Sequence, residues 1–126
     1  MKKNRISNDL FAGDVPLVDG IIEQVVLLRD EAKVYFTTDS GSKAVFTFHQ
    51  TLSVWDRRSV GQEIGGMGTL PVAYCGLLLR ERLLNDVNAG ELEQQTLDDA
   101  SVYSFINSWS EEPILEIVAA EMTISS

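Results

Sequence analysis

Between residues 21 and 49, three short runs of β-branched and aromatic residues follow one another, with only turn-forming residues between them. The first, 21–28, reads Ile-Ile-Glu-Gln-Val-Val-Leu-Leu and ends in the charged group Arg29, Asp30, Glu31. The second, 32–38, carries Val34, Tyr35, Phe36 and Thr37, and Asp39-Ser40-Gly41-Ser42 supplies turn chemistry after it. The third, 43–49, alternates so that Ala44, Phe46 and Phe48 share one face and Val45, Thr47 and His49 the other. One face is expected to be buried and the other half-wet. Short strands joined by tight turns predict a three-stranded antiparallel meander. Leu52, Val54 and Trp55 would extend the sheet after a kink near Gln50, ahead of the pair Arg57-Arg58.

The flanking segments read differently. Residues 1–20 mix polar residues with Leu10, Phe11, Val15, Leu17 and Val18 around Pro16, an irregular lead-in with one helical turn. Four glycines within 61–68 suit a loop, a bulged strand or a close backbone approach. Over 71–87, Val72, Cys75, Leu79 and Leu83 recur at helical spacing with Pro71 in the first turn, and Asn88-Ala89-Gly90 would end the helix. An acidic linker, 91–99, leads to a strand over 102–107 and a longer one over 114–124 whose faces are both largely apolar, as in an interior strand. The turn 108–113 joins these two as antiparallel neighbours. The expected fold class is α+β, a mainly antiparallel, meander-like sheet with one main helix. With 126 residues and no interdomain linker, a single domain over 1–126 is expected.

Charge divides unevenly. Residues 1–58 hold eight Lys or Arg and eight Asp or Glu, whereas 59–126 hold two basic and eleven acidic residues, so the second part carries the whole net charge of −9. Such a surface repels nucleic-acid phosphates and anionic lipid and attracts a cationic partner. Cys75 is the one cysteine, so no internal disulfide can form, and a cytoplasmic location fits best. Basic residues at the start are followed by Ser7, Asn8 and Asp9 where a secretory leader needs an apolar run. The longest apolar stretch, 70–79, is far short of the roughly 20 residues a membrane helix requires.

Candidate chemistry is sparse. His49 is the one histidine, at a predicted strand end where a structural, hydrogen-bonded role is the simpler reading. Cys75 falls on an apolar helix position, where burial makes a poor nucleophile. Two His or Cys residues cannot supply the four ligands of a structural zinc site. Asp98-Asp99 and Glu111-Glu112 have the residue types for calcium or magnesium but not the spacing of a calcium loop. The glycine cluster has neither the Gly-Lys-Ser/Thr of a phosphate loop nor the dinucleotide fingerprint, and Glu63 would repel phosphate. No catalytic residue, metal or cofactor is assigned, and a non-enzymatic role is expected.

The segment 103–113 is the most suggestive. Tyr103, Phe105 and Trp109 stand among Asp98, Asp99, Glu111 and Glu112, and an aromatic anchor in an acidic rim suits a basic partner. The competing reading is that the aromatic residues fill the core of a small sheet. With its size and acidity, the tail Ser108-Trp109-Ser110-Glu111-Glu112-Pro113-Ile114-Leu115-Glu116-Ile117-Val118 resembles the small immunity proteins that bacteria encode beside polymorphic or contact-dependent toxins. The resemblance implies stoichiometric binding of a basic, nuclease-like toxin, and since those families share no binding motif it assigns no residue. The residues' own pattern nominates Asp98, Asp99, Tyr103, Trp109, Glu111 and Glu112 for partner binding. The alternative is a small-ligand-binding or accessory β-domain, with a pocket where the glycine-rich segment crosses the sheet.

Overall fold

The computed structural model describes residues 9–72 and 99–125. Ten strands run through them: β1 (Phe11–Ala12), β2 (Val15–Pro16), β3 (Gly20–Leu27), β4 (Glu31–Thr37), β5 (Lys43–His49), β6 (Ser53–Asp56), β7 (Glu63–Pro71), β8 (Ser101–Asn107), β9 (Pro113–Ala119) and β10 (Glu121–Ser125). There is no α-helix among the described residues, so the α+β expectation is corrected to an all-β antiparallel fold. Pro71, expected in the first turn of a helix, is instead the last residue of β7 and pairs with Ser101. The rest of the helix expected over 71–87, with Cys75, lies outside the described residues beyond Val72, as do Asp98 and the basic start.

Strands β3, β4 and β5 form the expected meander, and β7, β8, β9 and β6 complete one sheet in the order β10-β5-β4-β3-β7-β8-β9-β6. The two ends of that order are not independent. β6 continues β5 after Gln50, and β10 continues β9 after Ala120. β5 pairs with β10 up to His49 opposite Glu121, and β6 pairs with β9 from Ser53 opposite Val118. Three residues on one strand thus oppose two on the other, a bulge with Gln50 at φ 54°. The Ala120 N–H donates to the His49 carbonyl (3.0 Å) and the Leu52 N–H to the Val118 carbonyl (2.7 Å), so pairing continues round the corner. The single long strand expected over 114–124 is therefore two, and the break lets one chain segment bond to β8 and then to β5. The hydrogen-bonded order closes into a ring of six bent strands.

Alternation fills this ring. Ala32, Val34 and Phe36 of β4 and Ala44, Phe46 and Phe48 of β5 point inward and are buried. Phe46 meets Phe36 at 5.6 Å and Phe105 of β8 at 5.7 Å between ring centroids, although β5 and β8 share no ladder. Ile22, Ile64, Leu115 and Ile117 complete the interior. Gly20 is required where it stands, because a Cβ there would lie 2.1 Å from Cζ of Phe36. The lead-in is a β1–β2 hairpin rather than a helical turn. Gly13 at φ 59° makes the reversal, and Leu17 is left fully buried under the ring. The glycine-rich segment is mostly β7, bulged at Gly65, with Ile64 and Met67 in the interior.

A second cluster, Trp55, Val72, Ala100, Val102 and Val118, is buried separately from the interior. This explains why neither face of 114–124 is polar: Leu115 and Ile117 serve the interior and Val118 this cluster. Replacing Phe46 with Ala removes the ring that joins β4, β5 and β8, and is expected to lower stability by about 3 to 5 kcal/mol. Denaturant unfolding checks this; a loss under about 1 kcal/mol would mean that the interior does not rest on that contact.

Candidate functional site

The β8–β9 connection is built round Asn107, the last residue of β8. Its backbone N–H donates to the Glu112 carbonyl (2.9 Å) and its carbonyl accepts the Glu111 N–H (3.0 Å). Its side-chain Oδ1 accepts two further bonds, from the N–H of Trp109 (2.7 Å) and of Ser110 (2.8 Å). Asparagine does this because its short amide reaches the backbone groups two and three residues on. The amide's other end, Nδ2, donates to Oε1 of Gln62 (2.8 Å), and Gln62 Nε2 donates to the carbonyls of Arg58 (2.6 Å) and Arg57 (3.3 Å). The turn is therefore tied to the β6–β7 loop.

Two further contacts tighten it. The Ser108 N–H donates to the Glu63 carbonyl (3.1 Å), and Gly65 allows this approach, since a Cβ there would sit 3.0 Å from Cα of Ser108. Arg57 donates to the Pro113 carbonyl (3.1 Å) and to Oε1 of Glu116 (3.0 Å). Glu111 takes φ 61°, a left-handed conformation that side chains other than Gly, Asn and Asp rarely adopt.

On this framework Trp109 is 83% exposed, the most exposed large apolar side chain among the described residues. Glu111 and Glu112 are exposed beside it. Glu63, Glu111, Glu112 and Glu116 outnumber Arg57 and Arg58 around the turn, and Arg57 is held by Glu116. The arrangement can insert an indole into an apolar recess while carboxylates meet cationic groups at its edge.

The six nominated residues do not form one patch. Trp109, Glu111 and Glu112 share the turn. Asp99 is exposed at the other end of β8, about 20 Å away at the rise of an extended strand. Tyr103 is half-buried, with its ring edge-on to Phe48 at 5.2 Å, so it belongs to the wall of the core, as Phe105 does entirely. Asp98 lies outside the described residues. The residues that hold the turn, Asn107 and Gln62, carry no signal in the sequence beyond an asparagine at a strand end.

His49 sits at the end of β5 with Nε2 2.8 Å from Oγ1 of Thr123 and Nδ1 3.3 Å from Oε2 of Glu31. Among the described residues no group of three or more His, Cys, Asp or Glu side chains is placed to hold a metal ion, and no helix is long and apolar enough to cross a membrane. Comparison with protein families, with characterised proteins and with solved structures gave no match to this chain.

Two measurements follow from this geometry. Asn107→Ala removes the acceptor of two turn N–H groups and is expected to destabilise the fold by about 1 to 2 kcal/mol in denaturant unfolding. An unchanged midpoint would mean that the turn holds without it. The Tyr103 phenol is raised above its ordinary value of 10.0, first by burial and then by the Glu121 carboxylate. The folded chain keeps a proton that the unfolded chain releases, so this contribution is present below pH 10 and disappears as pH rises through the folded-state value. A phenolate absorbance titration should lose a component above pH 10.0 in Tyr103→Phe, and an identical curve in that variant would contradict the assignment.

Proposed function

We propose that this chain is a non-enzymatic binding protein that docks stoichiometrically on a basic protein partner through the β8–β9 turn, with Trp109 as the anchor and Glu111 and Glu112 at its rim. The observation that carries the reading is the exposure of Trp109 on a turn pinned by Asn107 and Gln62. A flexible loop would lose conformational freedom on binding, whereas this turn is already ordered. Exposing an indole to water is unfavourable and forgoes core packing, so a turn that holds one out in a fixed frame suits burial by something else.

Charge supports the choice of partner. All of the net negative charge falls after residue 58, and a basic surface would be steered towards it, raising association rates by roughly 10- to 1000-fold at low salt. The resemblance of the tail 108–118 to immunity proteins supports a toxin as that partner, in a cytoplasmic role where binding blocks the toxin's active surface. The lone cysteine is compatible with that compartment.

The test is co-purification with the product of the neighbouring gene, followed by binding kinetics. Trp109→Ala is expected to weaken the complex by about 2 kcal/mol or more, roughly 30-fold, mainly through faster dissociation. The double variant Glu111→Gln, Glu112→Gln is expected to slow association and flatten its salt dependence. Equal affinity for Trp109→Ala and the unaltered chain would rule out the turn as the docking site.

A further inference from the structure

The β8–β9 turn has a neighbour at its end of the barrel. The β6–β7 loop, residues 57–62, runs beside it, joined by the bonds from Asn107 Nδ2 to Gln62 Oε1 (2.8 Å) and from the Ser108 N–H to the Glu63 carbonyl (3.1 Å). This loop also holds an apolar side chain out in a fixed frame, since Val60 is 54% exposed. Gln62 Nε2 donates to the carbonyls of Arg57 and Arg58, and the Gln62 N–H donates to the Ser59 carbonyl (3.1 Å). Asp56 Oδ1 accepts the Ser59 N–H (2.8 Å).

The frame is strained. Arg58 holds φ 58°, as Glu111 holds φ 61° in the adjoining turn, and the Ser59 hydroxyl is buried without a hydrogen-bond partner among the described residues. Burying that hydroxyl while turning Val60 into water reverses the order that solvation favours. Backbone held in such conformations clusters at functional sites. The two loops also differ in the sign of their charge. Arg57 is engaged by Glu116 and Asp56 by Ser59, whereas Arg58 is exposed; across the joint Glu111 and Glu112 are exposed. Each loop thus presents one exposed apolar side chain, Trp109 or Val60, together with exposed charge opposite in sign to that of its neighbour.

Two adjacent loops of opposite charge are complementary to each other across a twofold axis. With the axis between them, the β8–β9 turn of one copy faces the β6–β7 loop of the other, and every contact occurs twice. We infer that this face is the contact of a symmetric dimer of the chain, with Trp109 packed on Val60 of the second copy and Glu111 and Glu112 paired with its Arg58. The occupant is a second copy because the complement of each loop, in charge and in apolar character, is the other loop. Two loops per copy make a small interface, and a net charge of −9 on each copy opposes their approach. The dimer is therefore weak and forms in concentrated solution, and dilution releases Trp109. It rests on the same turn that is proposed for docking, so dimer and partner complex exclude each other.

Sedimentation velocity of the full chain, at about 1 µM and about 500 µM and physiological ionic strength, tests this; a monomer is expected at the lower concentration and a substantial dimer fraction at the higher. Trp109→Ala and Val60→Asp should each raise the dissociation constant about 10-fold or more. Arg58→Glu alone, and the double variant Glu111→Arg, Glu112→Arg alone, should stay monomeric, because like charges then meet across the axis. An equimolar mixture of these two proteins restores both pairings and should dimerise, which separates lost contact from lost folding. A chain monomeric at both concentrations overturns the inference, as does a dimer unmoved by Trp109→Ala or a mixture of the charge variants that fails to pair. These readouts need no docking partner. A monomeric chain that binds the neighbouring gene's product through Trp109 sinks the dimer alone, and a dimer that binds no such product sinks the docking proposal alone.

Discussion

The structure depends on a single corner, where Gln50 and Ala120 interrupt two paired strands at the same level. An eight-stranded antiparallel sheet with two free ends would leave rows of unpaired backbone groups at both. Here the ends are continuations of strands inside the sheet, and the bonds from Ala120 to His49 and from Leu52 to Val118 carry the ladder through the bend. Closure in turn gives the phenylalanines an interior. Phe36, Phe46, Phe48 and Phe105 come from three strands and touch because the sheet wraps back on itself.

The pinned β8–β9 turn and the polar row of Glu31, His49 and Thr123 both follow from that wrapping. Bending carries β6 alongside β9, which brings the β6–β7 loop, with Gln62, against the β8–β9 turn, with Asn107. The turn is then held at both the backbone and the side-chain level, and Trp109 is what the frame leaves outside. The same corner aligns Glu31, His49 and Thr123 on three adjacent strands and places Gln50 beside them. A barrel packed with its own side chains leaves its polar and aromatic contact groups on the outside, at turns and corners.

Legibility in the sequence followed the regularity of the strands. Residues 43–49 alternate without interruption, and the strand and its buried face are as the pattern implies. In β3 the bulge between Ile22 and Gln24 breaks the period, and Leu27 is left exposed despite its apolar surroundings. Pro71 suits the start of a helix as well as the end of a strand, so composition there could not separate the two. The break at Ala120 has no local mark, because a residue that ends one ladder and begins another is defined by its partners. The same holds for the site. Trp109, Glu111 and Glu112 stood out by residue type, but Tyr103 was drawn into the core by an alternation shared with Phe105. Asn107–Gln62 and Glu31–His49–Thr123 are long-range pairings that need a register before they can be seen.

The central claim is that Trp109 is held ready for a partner, and its own fluorescence tests it most directly. In a Trp55→Phe background the remaining indole is Trp109, which is 83% exposed in the free chain. On titration with the partner its emission should shift to the blue and become shielded from a soluble quencher, as expected for an indole moved from water into an apolar recess. A complex that forms with Trp109 still water-exposed and fully quenchable would contradict the account.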